Sequence, residues 1–355
     1  MIISSFIQLT ENVKTMTSKQ ITIKDIAHEL GLHHSTVSRA LRHDPRVNDA
    51  TKKRVHECAQ KHHYQPNTIA INLRDARSKT IGVVVPSIHH YYFSQIISAI
   101  INQASKTGYS VIISQSNESV EIERQNILAL IQSRVAGVIA SVSRETKNSD
   151  HFAMLLNKNI PLVFFDRVCN DLNAPKVLVK NKQAAQIAVR HLVNAGYNRI
   201  AYLGGFLATN VFNDRLQGYR SELEKHQLPV REDWMVFNDF DFKAGQTGMR
   251  QILSRPEKPN AVLCVSFELA MGALDEIWNH SMKVPEDIAI VTFGEEPMSK
   301  IVRPGITTVA QPREQIAEEA FNMLCQQLKN EPQNTPQIRW LETELIIRGS
   351  SRERM

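Results

Sequence analysis

Residues Ile21 to Arg42 read ITIKDIAHELGLHHSTVSRALR, two short helical patterns pinched around one glycine. Thr22 and Asp25 have capping-box spacing, and Ile23, Ile26, Ala27 and Leu30 follow with helical periodicity. A helix is therefore expected from near Thr22 to Gly31, where glycine supplies the permissive backbone of a tight turn. Leu32, Val37 and Leu41 give the next segment its buried stripe. Two short helices joined by so brief a turn make a helix-turn-helix. His34, Ser35, Thr36 and Arg39 then fall on or near the outer side of the second helix, where His, Ser, Thr and Arg side chains can reach base edges in a major groove.

Working outward, HDPRVNDATKKRVHECAQKHHY brings a chain break at Pro45, an N-cap at Asn48, and Val55, Cys58, Ala59 and His62 along one helical face. A third helix thus closes a miniature core. QPNTIAINLRDARSKT follows, with Pro66, a helical stretch from Asn67 to Arg74, and a basic linker to Lys79.

The charge is concentrated here. Residues 1–80 hold 13 Lys and Arg against 7 Asp and Glu, a net of +6 that equals the net charge of all 355 residues. The remaining chain is formally neutral. A small basic unit on a large neutral one is the electrostatic footprint of a nucleic-acid-binding head on a body with another task.

From Thr80 onward, apolar runs alternate with helical patterns at a βαβ rhythm. The strands expected are IGVVV, SVIIS, GVIAS, PLVFF, RIAYLG, AVLCV and IAIVTF. Helices are expected near 92–106, 120–133, 183–195, 213–225, 244–254, 268–280 and 313–329. Parallel sheets covered by helices on both faces follow, and a body of this length suits two such lobes.

TIKDIAHELGLHHSTVSRAL, YQPNTIAINLR and TIGVVVP together resemble the LacI/GalR (lactose-repressor) family of bacterial transcription regulators, in order and spacing from about Ile21 to Gly349. The resemblance implies an all-α helix-turn-helix head and an α/β body of two Rossmann-like lobes, of the periplasmic-binding-protein type, joined by three crossings. The organisation expected is an extension without fixed structure over 1–20, with Met16 a candidate initiator, a DNA-binding head over 21–65, a hinge helix and linker over 66–79, an effector-binding and dimerisation body over 80–349, and a tail over 350–355. Thr22, Asn48 and Asn67 join the outer residues of the second helix as DNA contacts. Leu73 would wedge into a minor-groove base step, with Ala70 permitting close approach. A helix of so few residues is marginal alone in water and would order against DNA and its dimer partner.

Two head positions depart from the pattern. His33 stands where a serine usually starts the second helix, which weakens a cap, and Ile71 stands where an arginine is common. The operator sequence therefore does not carry over.

In the body, the resemblance points to a cleft lined by strand ends from both lobes. Tyr91, Tyr92 or Phe93 is an apolar wall for a ring-shaped ligand or ordinary packing at a helix start. Asp166 and Arg167 either meet a polyol or pair across the lobe interface. Arg215 matches the arginine of the family's R-x-x-G-[YFW] element. Lys180, Ser266 with Phe267, and Gly294 followed by Glu295 replace the family's usual acids and amide. Lys180 and Arg215 together favour an anionic sugar derivative. A regulator that has lost small-molecule sensing is the alternative, and a solute-binding protein is a weaker one.

No cofactor or metal site is expected. Cys58, Cys169, Cys264 and Cys325 lie far apart with no C-x-x-C spacing. The pairs His33/His34, His62/His63 and His89/His90 would point about 100° apart in a helix. No enzyme motif appears, and LGG at Leu203 to Gly205 is too short for a phosphate loop. No apolar run reaches the roughly 18 residues of a membrane span, and the opening MIISSFIQLTENVK lacks a basic leader and cleavage site. A cytoplasmic homodimer that binds operator DNA and a small sugar-like effector, without a membrane partner, is the expectation. The ending IIRGSSRERM carries no apolar heptads, which disfavours a tetramer.

Overall fold

The computed structural model describes residues 21–62, 64, 78–329 and 338–352. The chain divides into two compact units, one ending at residue 76 and the other beginning at residue 77.

Among the described residues the first unit holds three helices, α1 (Ile23–Leu30), α2 (His34–Leu41) and α3 (Asp49–Lys61). The capping box forms as its spacing predicts. Asp25 accepts from the Thr22 N–H at 2.8 Å and from its hydroxyl at 2.6 Å, and Thr22 Oγ1 accepts from the Asp25 N–H at 3.4 Å. Gly31 ends α1 at φ 63°, a left-handed value that glycine adopts without steric cost. At the start of α2 the loss of serine is partly offset, because His33 Nδ1 lies 3.4 Å from the Ser35 N–H and 2.8 Å from its hydroxyl. Asn48 caps α3 by accepting from the Thr51 N–H at 2.8 Å. The core that unites them is small: Ile26, Val37, Ala40, Val55, Cys58 and neighbours, with Leu32 and Leu41 half-buried at its margin. His62, expected on the core face, sits half-buried against Glu29 instead.

The second unit carries two six-stranded sheets. In the first lobe the order is β11-β5-β4-β3-β1-β2, all parallel, from β1 (Thr80–Val85), β2 (Ser110–Gln115), β3 (Gly137–Ala140), β4 (Leu162–Phe165), β5 (Lys176–Val179) and β11 (Ile338–Leu341). Helices α4 (Tyr91–Lys106), α5 (Val120–Gln132), α6 (Asp150–Asn157) and α12 (Arg313–Leu328) cover it. The central strands are buried on both faces, which is why they read as continuous runs of Val, Ile, Leu and Phe.

The second lobe has the order β12-β10-β9-β8-β6-β7, from β6 (Ile200–Gly204), β7 (Met235–Phe237), β8 (Ala261–Cys264), β9 (Ala289–Phe293), β10 (Thr307–Ala310) and β12 (Glu344–Ile346). Only β12 runs antiparallel, against β10. Its helices are α7 (Asn181–Asn194), α8 (Asn210–Lys225), α9 (Phe242–Leu253), α10 (Phe267–Asn279) and the short α11 (Met298–Ile301).

The chain passes between lobes three times: at Lys180 after β5, at Gln311 and Pro312 after β10, and between β11 and β12. Two passages are tied together. The Lys180 ammonium pairs with the Glu342 carboxylate, and the Lys180 N–H donates to the Leu341 carbonyl at 3.0 Å. No described helix is long and apolar enough to cross a membrane.

Candidate functional site

On the head, the outer side of α2 presents His34 and Arg39 exposed, with Ser35 and Thr36 half-buried beside them. Ser35 is engaged by the His33 ring. Thr22 and Asn48 are both exposed, but their side chains are occupied as caps of α1 and α3. What those two helix starts offer an anion is chiefly backbone N–H groups and the positive dipole end. Asn67, Ala70 and Leu73 lie outside the described residues.

Between the lobes is a narrow cavity of about 80 Å³. It lies beyond the carboxyl ends of β4, β8 and β9, where open α/β sheets hold ligands. Its apolar walls are the rings of Tyr92, Phe93, Phe212, Phe240, Phe267 and Phe293. Its polar groups are Asp166, Arg167, Arg215, Ser266, Glu268, Glu296, His90 and Gln311.

Arg215, on the second turn of α8, is 4% exposed. Its Nε donates to Asn181 Oδ1 at 2.9 Å and its Nη1 to the Val265 carbonyl at 2.7 Å, while Cζ lies 3.9 Å from the Phe293 ring centre. Burial lowers its pKa to about 10, against the pull of Asp166. Asp166 follows β4 with φ 59°, a value uncommon outside glycine though enriched for Asp. Its carbonyl accepts from Asn210 Nδ2 at 3.0 Å, and its carboxylate accepts from the Tyr92 hydroxyl at 2.9 Å. Burial raises the Asp166 pKa, with Arg167 and Arg215 opposing. Burial and the Asp166 charge together hold the Tyr92 hydroxyl protonated well beyond its ordinary range.

Asp166 and Arg167 do not form the cross-lobe ion pair that was one of two expectations. Arg167 turns to Glu118 of its own lobe, at 2.8 and 2.9 Å. The lobes are bridged elsewhere, by His90 with Glu268 at 3.1 Å and Arg144 with Asp239 at 2.8 Å.

Three expected cavity residues lie outside it. Tyr91 is covered by the Arg313 guanidinium, 4.9 Å from its ring centre. Lys180 ties two crossings together, so it offers nothing to an anion in the cavity. Glu295 is held by Arg348 at 2.6 and 2.9 Å. Burial would raise the Glu295 carboxyl, but the hydrogen bonds from Arg348 and Thr308 more than reverse it. Glu296 takes its place. Gly294 adopts φ 95°, a conformation that L side chains rarely take, and both it and Glu296 are among the lining residues.

Glu296 carries a pH prediction. Burial, and secondarily the neighbouring Glu268, push its carboxyl up from 4.5 to about 7, against Arg313 and His90. Between those values the folded protein holds a proton that the unfolded chain releases, so stability attributable to this group falls as pH rises through the window. Glu296→Gln should match the parent at pH 4.5 and melt higher than it at pH 8. Melting curves of both proteins across that range check it, and a parallel pH profile would refute the assignment.

Gly218, one helical turn beyond Arg215, carries a second prediction. A Cβ there would lie 2.2 Å from the Lys182 carbonyl oxygen and 2.8 Å from Ala185 Cβ, both on α7. The R-x-x-G spacing therefore joins a close helix contact to the arginine that bonds Asn181 of the same α7. Gly218→Val should cost about 3 kcal/mol, at the upper end of ordinary overpacking, read as a lowered denaturation midpoint. A loss under about 0.5 kcal/mol, the range of an inconsequential surface change, would show that the two helices can part.

Residues 22–67 match the family model of bacterial regulatory proteins, lacI family, and residues 189–351 match a periplasmic binding protein-like domain. The chain is 33% identical over 332 residues to the HTH-type transcriptional repressor CytR of Escherichia coli (strain K12), covering 93% of this chain and 96% of that protein. It is 28% identical over 329 residues to the ribose operon repressor of Haemophilus influenzae (strain ATCC 51907 / DSM 11121 / KW20 / Rd), covering 93% and 98%. Among solved structures, the lac repressor dimer bound to operator and the anti-inducer ONPF superposes with a TM-score of 0.85 at 25% identity, covering 94% of this chain and 99% of that one.

Proposed function

The chain belongs to the lacI family of bacterial regulatory proteins and is a DNA-binding transcriptional regulator with an effector-binding body, and from that premise we propose a repressor whose two copies bind a pseudo-palindromic operator. Repression fits because bound protein blocks polymerase by occupancy alone. His34, Ser35, Thr36 and Arg39 read bases, the helix starts capped by Thr22 and Asn48 grip phosphates, and Leu73 wedges the minor groove with Asn67 and Ala70 beside it. The protein works in the cytoplasm, where its operator is.

The effector site is the inter-lobe cavity, and the observation that carries this reading is Arg215, buried, anchored at two atoms and exposed to a ligand only through that cavity. The lining alters the expected effector chemistry. With Lys180 outside it and Arg167 paired with Glu118, the cavity holds three carboxyl groups, Asp166, Glu268 and Glu296, against one free guanidinium, and Glu296, pushed up to about 7, carries only part of its charge at neutral pH. A ring-shaped sugar or sugar derivative fits best, with apolar faces against the aromatic walls and hydroxyl or amino donors for those carboxylates. Closure acts on both lobes at once, so the ligand biases the spacing of the paired heads. Such couplings are typically about 1–3 kcal/mol. The cavity is a sensor rather than an active site.

The experiment is selection from random duplex DNA with the intact protein, repeated with Leu73→Ala. An inverted repeat that weakens in the variant is the expected result. Enrichment of no sequence beyond salt-sensitive binding would overturn the reading of the head.

A further inference from the structure

We propose that the head carries a metal site for a zinc-class divalent cation, built from Glu29 of α1 and Cys58 and His62 at the end of α3. The assignment is independent of the effector reading. Cys58 and His62 stand four residues apart, which on a helix sets two side chains on one face. The tight turn at Gly31 and the packing of α1 on α3 bring Glu29 to that face. One carboxylate oxygen, the Cys58 sulfur and a ring nitrogen of His62 all lie within 4.8 Å of one another.

Burial and donor chemistry distinguish this cluster from an ordinary surface ion pair. Glu29 Oε2 lies 2.7 Å from His62 Nε2, a ring nitrogen shielded from solvent, and the Cys58 side chain is buried. The donor set is mixed. Thiolate, imidazole and carboxylate together suit Zn²⁺ far better than the all-oxygen preference of Ca²⁺ or Mg²⁺.

The required movement is small. Zinc at about 2.0–2.1 Å from nitrogen and oxygen and 2.3 Å from sulfur needs tetrahedral donor separations of about 3.3–3.6 Å. The Glu29–His62 contact would open by less than about 1 Å, and the sulfur would draw in. Lys61 is the occupant to be displaced. Its ammonium donates to Glu29 Oε1 at 3.1 Å, and its side chain is 68% exposed, free to swing into water.

Loading balances simply. The Cys58 thiol gives its proton to solvent and its sulfur lone pair to the cation, His62 coordinates through neutral Nε2, and Glu29 exchanges Lys61 for the metal. No electron is transferred. Because the thiol loses its proton on binding, affinity should strengthen with pH as one proton is released per ion. A cation bonded to both helices would clamp the end of α1 to the end of α3 across a core of few residues.

The test is titration of the full-length reduced protein with Co²⁺. A thiolate-to-cobalt charge-transfer band in the near ultraviolet, with visible bands of four-coordinate geometry, should saturate at one equivalent and bleach with Zn²⁺. Cys58→Ser should lose the near-ultraviolet band. Should that core variant fail to fold, Glu29→Gln at an exposed position keeps the test alive, and should weaken binding by at least about tenfold. Lys61→Ala should tighten it, since a competitor for Glu29 is gone; a merely structural ion pair predicts no such gain. Absence of the charge-transfer band, or its persistence in Cys58→Ser through another thiol, would overturn the site.

Discussion

Ile113→Arg should turn the proposed dimer into a monomer that folds normally and binds its full operator about 10²–10⁴-fold more weakly, the range lost when linked binding becomes independent. The strand that carries Ile113, β2, is the outer strand of its sheet and pairs only with β1. An open edge beside exposed apolar side chains is a ready template for association. Ile88, Ile101 and Ile113 are between 39% and 46% exposed and line one hollow beside this edge and α4. One exposed isoleucine is unremarkable, but three together mark a surface that is covered in use. A second copy is the occupant the family premise supplies, and a twofold contact sets the same patch against itself.

Arginine at 113 would then place two like charges across the contact, each stripped of water without a partner. Because the side chain is exposed in the single chain, the fold has little to lose. Sedimentation should show the monomer, and binding to an isolated half-site should equal that of the parent. A variant that stays dimeric and holds full-operator affinity would place the dimer contact elsewhere.

How much of this was legible in the sequence depended on the range of the signal. The seven expected strands all form: six are buried parallel strands that announce themselves as unbroken apolar runs, and the edge strand β2 carries the same kind of run although much of it is exposed. β5, β7, β10, β11 and β12 escaped notice, and β5 and β10 show why. KVLV opens on Lys176, whose stem is buried while its ammonium reaches the Leu172 carbonyl at 3.2 Å; snorkelling of this kind hides a strand start. TTVA opens on two threonines that are fully buried. Thr307 satisfies its hydroxyl within the sheet's polar network, accepting from the Ser351 hydroxyl at 2.6 Å.

The cavity followed the same logic. Arg215 and Asp166 sit on local motifs, and both line it. Glu268 meets His90 across 178 positions of chain, a distance that no spacing rule spans. Glu296 was missed by one residue, because the partners that draw Glu295 away, Arg348 and Thr308, lie far along the chain.

Arg215→Ala should abolish the effector response while sparing operator binding by the apo protein. Removing one partner of a buried, hydrogen-bonded charge typically costs about 3–5 kcal/mol, and here the orphans are the Asn181 amide oxygen, the Val265 carbonyl and the Asp166 carboxylate. Asp166 already has a raised pKa through burial, and loses one of the two guanidiniums that oppose it. Its proton affinity should rise further. A ligand that bonds Arg215 would lose a charged hydrogen bond in a desolvated site, about 2–5 kcal/mol or roughly 30- to 4,000-fold in affinity.

The two losses are separable. Denaturation reports the first, and operator release measured against a panel of neutral, acidic and amino sugars and related ring compounds reports the second. Arg215→Lys sharpens the distinction, since it keeps the charge but loses the planar fork that reaches Asn181 and Val265 together. It should recover part of the stability and little of the response. If a compound that releases the parent from operator releases Arg215→Ala at the same concentration, Arg215 is a packing residue and the effector sits against the acids alone. If neither protein responds to acidic sugars while both bind operator, the balance of carboxylates over cations in the cavity is the physical reason, and amine-bearing rings are the next class to try.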